Sequence, residues 1–282
     1  MIDSKLKEKI AFVLLLAATI IVIAPVVLIM ALLLFNGLPA ISFDFLFSIP
    51  KDGMRAGGIW PAIVGTLYLM AVTAVFSIPF GIMAAIYLNE YAKRNWLTRA
   101  IELAIINLAG VPSIVYGLFG LSLFVEFLGF GASILAGSLT LAIMTLPVVI
   151  TATREALGSV PRSFREVSFS LGASRWQTVR HVVLPNAIPG ILTGTILGLS
   201  RAAGETAPIL FTVAAFYLPK LPTSVYDQAM ALPYHIYVLS TQVPNVSVKM
   251  QYGTVLVLVG IIFILNIVAS YIRSYFRKKK TW

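Results

Sequence analysis

The sequence predicts an all-α, polytopic membrane protein with six transmembrane helices, and three observations carry that prediction. Of its 282 residues 59% are hydrophobic and only 11% charged, against about 25% charge in an ordinary soluble domain. Apolar runs at about 10–35, 62–88, 100–128, 133–152, 188–217 and 252–270 each come close to or exceed the roughly 20 residues a spanning helix needs. Lysines and arginines gather beside these runs, and on alternate sides of them, as the charge bias of cytoplasmic loops requires.

Taken in order, the first run outlasts the 7 to 15 apolar residues of a signal peptide and lacks a small-residue cleavage site, so it reads as a retained first span. Residues 36–61 then form a long outer segment. The second, third, fourth and fifth runs carry Pro79, Pro112, Pro147 and Pro208, as the first carries Pro25; membrane helices tolerate such breakers because neighbours re-satisfy the freed carbonyls. A second long outer segment, 218–251, holds Pro219, Pro222, Pro233 and Pro244. Both outer segments read either as structured caps or re-entrant pieces that could receive an external partner, or as passive connectors. The sixth run is bounded by the basic tail. There is no internal repeat, and so no support for an inverted-repeat transporter.

Orientation follows from counting charge. One set of segments holds Lys5, Lys7 and Lys9, then Lys93, Arg94 and Arg99, then Arg154, Arg162, Arg165, Arg175 and Arg180, then Arg273, Arg277, Lys278, Lys279 and Lys280. The alternate set holds Lys51, Arg55, Lys220 and Lys249. Both termini and the segments near 90–99 and 153–187 are therefore expected in the cytoplasm. The net charge of +10 belongs to these loops and does not call for a nucleic-acid partner. With no cysteine, and with His181 and His235 far apart, neither disulfides nor a metal site is expected.

The cytoplasmic segment 153–187 is richer than a simple connector. Ser163-Phe164-Arg165-Glu166 has the form of a capping box. Gly172 suits a left-handed helix end. Ser174-Arg175-Trp176-Gln177 offers a second start, with Pro185 and Pro189 bounding the far side. Two short helices exposing Phe164, Phe169 and Trp176 are expected. An amphipathic helix on the bilayer, an intraloop packing unit and a docking hairpin all fit that pattern.

The residues themselves narrow the choice. Glu166-Val167-Ser168, then Gly172, then Val182-Val183-Leu184-Pro185 resembles the signature loop of ABC importer permeases in all its spacings, with Val167 and Ser168 where that family usually has alanines. The resemblance implies a type I ABC importer permease fold in which this loop is a coupling helix seated on a cytoplasmic ATPase. Arg165, Glu166, Gly172 and Ala173 would form the coupling site. No Gly-x-x-x-x-Gly-Lys-Ser/Thr pattern occurs, so ATP is expected on separate chains and no cofactor or enzymatic activity on this one.

Gly190, Gly194, Gly198 and Ala202 recur every four residues in the fifth run, a stripe that admits a close neighbouring helix. Arg201 stands about fourteen residues in from Ile188, near mid-bilayer at 1.5 Å per residue. A charge there must face protein or a water-filled cavity. Glu205, four residues on, shares its face. The two fit a structural ion pair equally with a path on which a guanidinium fork meets a tetrahedral oxyanion.

The runs Arg201–Thr212 (RAAGETAPILFT), Gly57–Thr66 (GGIWPAIVGT) and Gly110–Gly120 (GVPSIVYGLFG), with ALPYHIY over 231–237, resemble the phosphate-importer permeases of the PstA type. The resemblance implies a substrate pathway at Arg201, Glu205 and Thr206 in a bacterial cytoplasmic or inner membrane. It also implies a sister permease of the PstC type, two ATPase subunits, and an extracytoplasmic phosphate-binding protein. Lipid surrounds the whole. Other readings are a permease for sulfate, molybdate or phosphonate, a self-contained secondary transporter or channel, and a membrane enzyme, for which the sequence offers no clustered intramembrane acids.

Overall fold

Each helix of this protein begins or ends where the backbone loses a hydrogen bond, and those points decide how the apolar runs are cut. The computed structural model describes residues 4–278; the tail lysines Lys279 and Lys280 lie outside them. Helix α1, Ser4–Gly37, is followed by the first of the two long connecting segments. That segment contains helix α2, Phe43–Phe47, and a small hairpin pairing β1, Pro50–Lys51, with β2, Ala56–Gly57. Helix α3 runs Trp60–Ile86 and continues into a π-helical turn, Tyr87–Tyr91.

The third apolar run is not one rod. Helix α4, Trp96–Ala109, is capped by Asn95, whose side chain accepts the Thr98 amide at 2.8 Å. Helix α5, Ser113–Gly120, extends as a π-helical stretch, Leu121–Phe127. The two halves meet at 104°. Pro112 is the cause: it bars the preceding residue from helical geometry and cannot donate to the ladder. Pro25, Pro79, Pro147 and Pro189, by contrast, sit inside unbroken helices.

Helix α6, Ile134–Gly158, is the centre, with two thirds of its apolar window buried in the chain. Its amino terminus would leave amides unpaired, but the Ser133 amide donates to the carbonyl of Thr212, and those of Ile134 and Leu135 to the carbonyls of Asp227 and Val225 in the long segment 218–251. On the other side stand helix α7, Arg162–Ser170, and helix α8, Arg175–Thr178. Through the π-helical turn Val179–Val183, α8 passes without a break into helix α9, Leu184–Gly204. Helix α10, Ala207–Thr212, helix α11, Leu232–Thr241, and helix α12, Val248–Lys278, complete the chain. Among the described residues five helices are long and apolar enough to cross a membrane, or six with the bent α4–α5 pair taken as one span.

Helices α3, α6 and α9 pack along one another as the core. The α6–α9 contact is close because glycines permit it: a methyl group on Gly190 would stand 2.6 Å from the Ala156 Cβ, one on Gly198 2.9 Å from the Thr145 Cγ2, and one on Gly194 would overlap the Ala152 Cβ. The small-residue stripe expected from sequence is thus a helix seam. Apolar clusters stack through the thickness: Ala85, Leu157, Val183 and Ile191 at one end, Leu69, Ile134, Met144 and Ile209 in the middle, and Phe45, Ile59, Leu232 and Leu239 at the other. Both long outer segments contribute to that last cluster, so they form one cap. Helix α1 buries none of its apolar window and touches the body chiefly along α12.

Candidate functional site

The residues singled out by sequence fall in two places, and a single helical unit, Arg175–Gly204, joins them. The first is the α7–α8 hairpin. Gly172 adopts φ +80 with open space around it, the left-handed helix end expected of it. The amides of Gly172 and Ala173 return to the carbonyls of Phe169 and Ser168 at 2.9 and 3.1 Å, and Ala173 is half-buried. Ser174 and Gln177 form the full reciprocal capping box. The hairpin is closed by a buried hydrogen bond between the hydroxyls of Ser168 and Thr178, 2.8 Å apart. Its outer face exposes Glu166, Val167, Leu171 and Trp176.

Three expectations about this hairpin need correction. Phe164 is not exposed with Phe169 and Trp176: it is half-buried and packs against the cluster of Ala85, Leu157 and Val183. Ser163 caps nothing: α7 starts at Arg162 after Pro161 with no side-chain cap. Proline at the entrance has a preset φ and no amide to satisfy, so the helix begins early and leaves Ser163 inside its first turn. Pro185 and Pro189 do not end α8 either. The π-helical turn absorbs the missing amide of Pro185, and the Asn186 side chain donates to the Val182 carbonyl at 2.7 Å. The α7–α8 hairpin is therefore continuous with the long apolar helix α9.

Within the hairpin the four residues singled out by sequence part company. Glu166 faces solvent, whereas Arg165 turns inward. Its guanidinium meets both carboxylate oxygens of Glu90, at 2.7 and 3.2 Å. Glu90 drew no notice in the sequence, because a lone acid after an apolar run gives no pairing signal until the fold brings its partner across.

The second place is the far end of α9. The fifth apolar run breaks at Glu205–Thr206, between α9 and α10, so residues 188–217 are not one helix. Arg201 occupies the last helical turn, where a cation complements the carbonyl end of the helix dipole. Its Nε lies 3.5 Å from Glu205 Oε1, with the two side chains 50% and 17% exposed. At that distance the pair is loose, and the guanidinium keeps donors free for another acceptor. Thr206 is half-buried at the start of α10 and makes no cap bond. Behind the break is a cavity of about 10 Å³ lined by Thr66, Met70, Leu141, Ala202, Glu205 and Ala231, room for about one water. Irregular backbone at membrane depth survives only where protein or water satisfies it. The helix break, the loosely held arginine and this small, mostly apolar pocket lie together at the α9–α10 junction.

Comparison with known proteins agrees with this geometry. Residues 77–282 match the family model described as binding-protein-dependent transport system inner membrane component. The chain is 32% identical to the probable ABC transporter permease protein YqgI of Bacillus subtilis, over 99% of both chains. It is 39% identical to the phosphate transport system permease protein PstA 1 of Mycobacterium tuberculosis, over 77% of this chain and 71% of that one. Among solved structures, a bacterial ABC transporter involved in the import of the acidic polysaccharide alginate aligns over 98% of this chain and 100% of its own. Its TM-score is 0.69 at 16% identity, a likeness of fold. The chain belongs to the family of binding-protein-dependent transport system inner membrane components.

Proposed function

We propose that this chain is the PstA-type permease subunit of an ATP-driven importer that moves inorganic phosphate across the cytoplasmic membrane by alternating access. The observation that carries the reading is the continuity of α8 with α9: one helical unit, Arg175–Gly204, has a capped docking hairpin at one end and Arg201 at the other. Named relatives support the substrate, since the Mycobacterium tuberculosis protein is a phosphate transport permease. Arginine suits a tetrahedral oxyanion because its fork donates two parallel hydrogen bonds.

In this reading both termini and the α7–α8 hairpin lie in the cytoplasm, following the lysine and arginine bias. The hairpin seats on one of two ATPase subunits through Glu166, Gly172 and the exposed apolar residues around them. A sister permease of the PstC type faces the Arg201 side, and a phosphate-binding protein docks on the outer cap. ATP closure draws the hairpins together, and phosphate crosses between the two permeases past Arg201, Glu205 and Thr206. ATP chemistry stays on the ATPase chains, which carry the phosphate-cradling loop this sequence lacks.

The test compares radiolabelled phosphate uptake and membrane abundance for Arg201→Gln, Glu205→Gln and the double variant. A substrate-path arginine predicts that Arg201→Gln abolishes uptake at normal abundance and that the double variant stays inactive. A double variant that transports normally refutes the reading and leaves the pair as a structural one.

A further inference from the structure

Arg165 belongs to the cytoplasmic hairpin, yet nearly all of its bonds go to the helices beneath it. Its Nη2 donates to Glu90 Oε1 at 2.7 Å and to the Leu157 carbonyl at 2.8 Å; its Nε donates to Glu90 Oε2 at 3.2 Å and its Nη1 to the Val160 carbonyl at 2.8 Å. The fork grips both carboxylate oxygens, the geometry that gives an arginine–carboxylate pair its strength and direction. Glu90 is held in turn by the Asn89 side chain, 2.8 Å from its Oε1. The pair is sheltered, with side chains 16% and 11% exposed, whereas Arg154–Glu102 stands about one third exposed on both sides.

Apart from the Val160 carbonyl in the connection, these bonds tie together three elements. Glu90 lies in the π-helical turn that ends α3, a kind of irregularity frequent at functional sites. Leu157 is in the last turn of α6, where unpaired carbonyls welcome a cation. Arg165 itself is in α7. The α8 side of the hairpin needs no such anchor, because it continues covalently into α9. The α7 side has only the short connection Ser159–Pro161, a bend about which α7 would otherwise swing.

We propose that the Glu90–Arg165 pair is the rivet through which the α7–α8 hairpin drives the α3–α6 helix pair, which makes Glu90 a positioning residue for transport. The inference rests on the reading of that hairpin as the ATPase-coupling element. Through the rivet, a displacement of the hairpin reaches α3 and α6 at the same moment that α8 delivers it to α9. The three core helices and Arg201 then move as one body. Without it, α7 yields at Ser159–Pro161 and part of the stroke is lost in the loop.

The test uses the complete transporter in liposomes, with ATPases, sister permease and phosphate-binding protein, and reads phosphate accumulated per ATP hydrolysed. Glu90→Gln keeps the shape and removes the charge. It is expected to assemble and hydrolyse ATP while phosphate per ATP falls about tenfold, a modest loss for a sheltered charge left without its partner. Glu90→Asp keeps the charge but shortens the reach; it covers the case in which the glutamine variant fails to fold, and it too must lower the ratio. Glu102→Gln breaks an ion pair that does not touch the hairpin and should leave the ratio unchanged. An unaltered ratio in both Glu90 variants overturns the proposal, as does an uptake loss that merely tracks the amount of assembled complex. Gly172→Trp separates the two readings. If it detaches the ATPases while the Glu90 variants keep a normal ratio, only the rivet fails; if ATPase attachment and uptake survive it, the coupling reading fails and takes the rivet with it.

Discussion

Lowering the pH should loosen the outer cap through one residue, His235. It sits in α11, outside the helices long enough to span the bilayer, and is 1% exposed. Neither ring nitrogen has a hydrogen-bond partner. Burial alone pushes its pKa from 6.5 down to about 4, because the imidazolium loses its hydration with nothing in exchange. A folded pKa below the unfolded one means that the folded cap favours the neutral ring. Its stability is thus fully present above pH 6.5 and is lost as the pH falls toward 4. The difference of 6.5 − 4 = 2.5 units corresponds to roughly 3 kcal/mol in all, of which roughly 2 kcal/mol is gone by pH 5. The opening equilibrium of the cap should therefore rise about thirtyfold between pH 7.5 and pH 5. Hydrogen exchange of the α11 amides, normalised to intrinsic rates, measures it directly. His235→Leu replaces an unpaired polar ring by an apolar side chain of similar size, so it should fold and should flatten the dependence. An equal acceleration in His235→Leu, or none in the unaltered protein, refutes the argument.

Two more outcomes follow from packing and topology. Gly194→Ala places a methyl group on the Ala152 Cβ and should destabilise the chain by about 1–3 kcal/mol, seen as lower membrane abundance and melting temperature; Ala152→Gly added to it should recover most of the loss, while Gly260→Ala, with nothing within 4 Å of the new methyl, should be silent. Because the chain has no cysteine, single cysteines report orientation cleanly: Ser174→Cys should resist an impermeant thiol reagent in intact cells and Asp52→Cys should react, and the reverse pattern would invert the proposed topology.

What the sequence could show depended on whether the signal was local. Length and apolarity pointed to the long apolar helices, because a bilayer demands about 20 apolar residues in a row whatever the tertiary packing, but not to the breaks inside 100–128 and 188–217. The Ser174–Gln177 capping box and the Gly172 turn were readable for the same reason: their partners lie three or four residues away. Ser163 misled because a serine three residues before a glutamate also occurs inside a helix that Pro161 has already started. Pro185 misled because a soluble helix would have ended there, and only the π-helical turn beside it makes the proline harmless. The 104° bend at Pro112 shows the opposite case, a proline whose position in an apolar run hid a true break. Glu90–Arg165 spans 75 positions, and no local pattern encodes such a pair.

The same distinction bears on the proposed substrate path, of which one chain would hold only a part. Arg201 is 50% exposed, and at the depth the proposed function gives it a charged side chain facing lipid costs about 3 kcal/mol even on the lenient insertion scale. Glu205 holds it too loosely to offset that on its own, and the pocket behind it is lined mostly by small and apolar groups. The open side must therefore meet water or a second protein surface rather than hydrocarbon. Helix α1 makes the same demand in apolar form, since it buries none of its window in the chain and stands ready for lipid or a neighbouring helix. A monomer that keeps its arginine on an open flank and fixes its coupling hairpin from two sides is built as one wall of a path. The sister permease of the proposed function supplies the other wall.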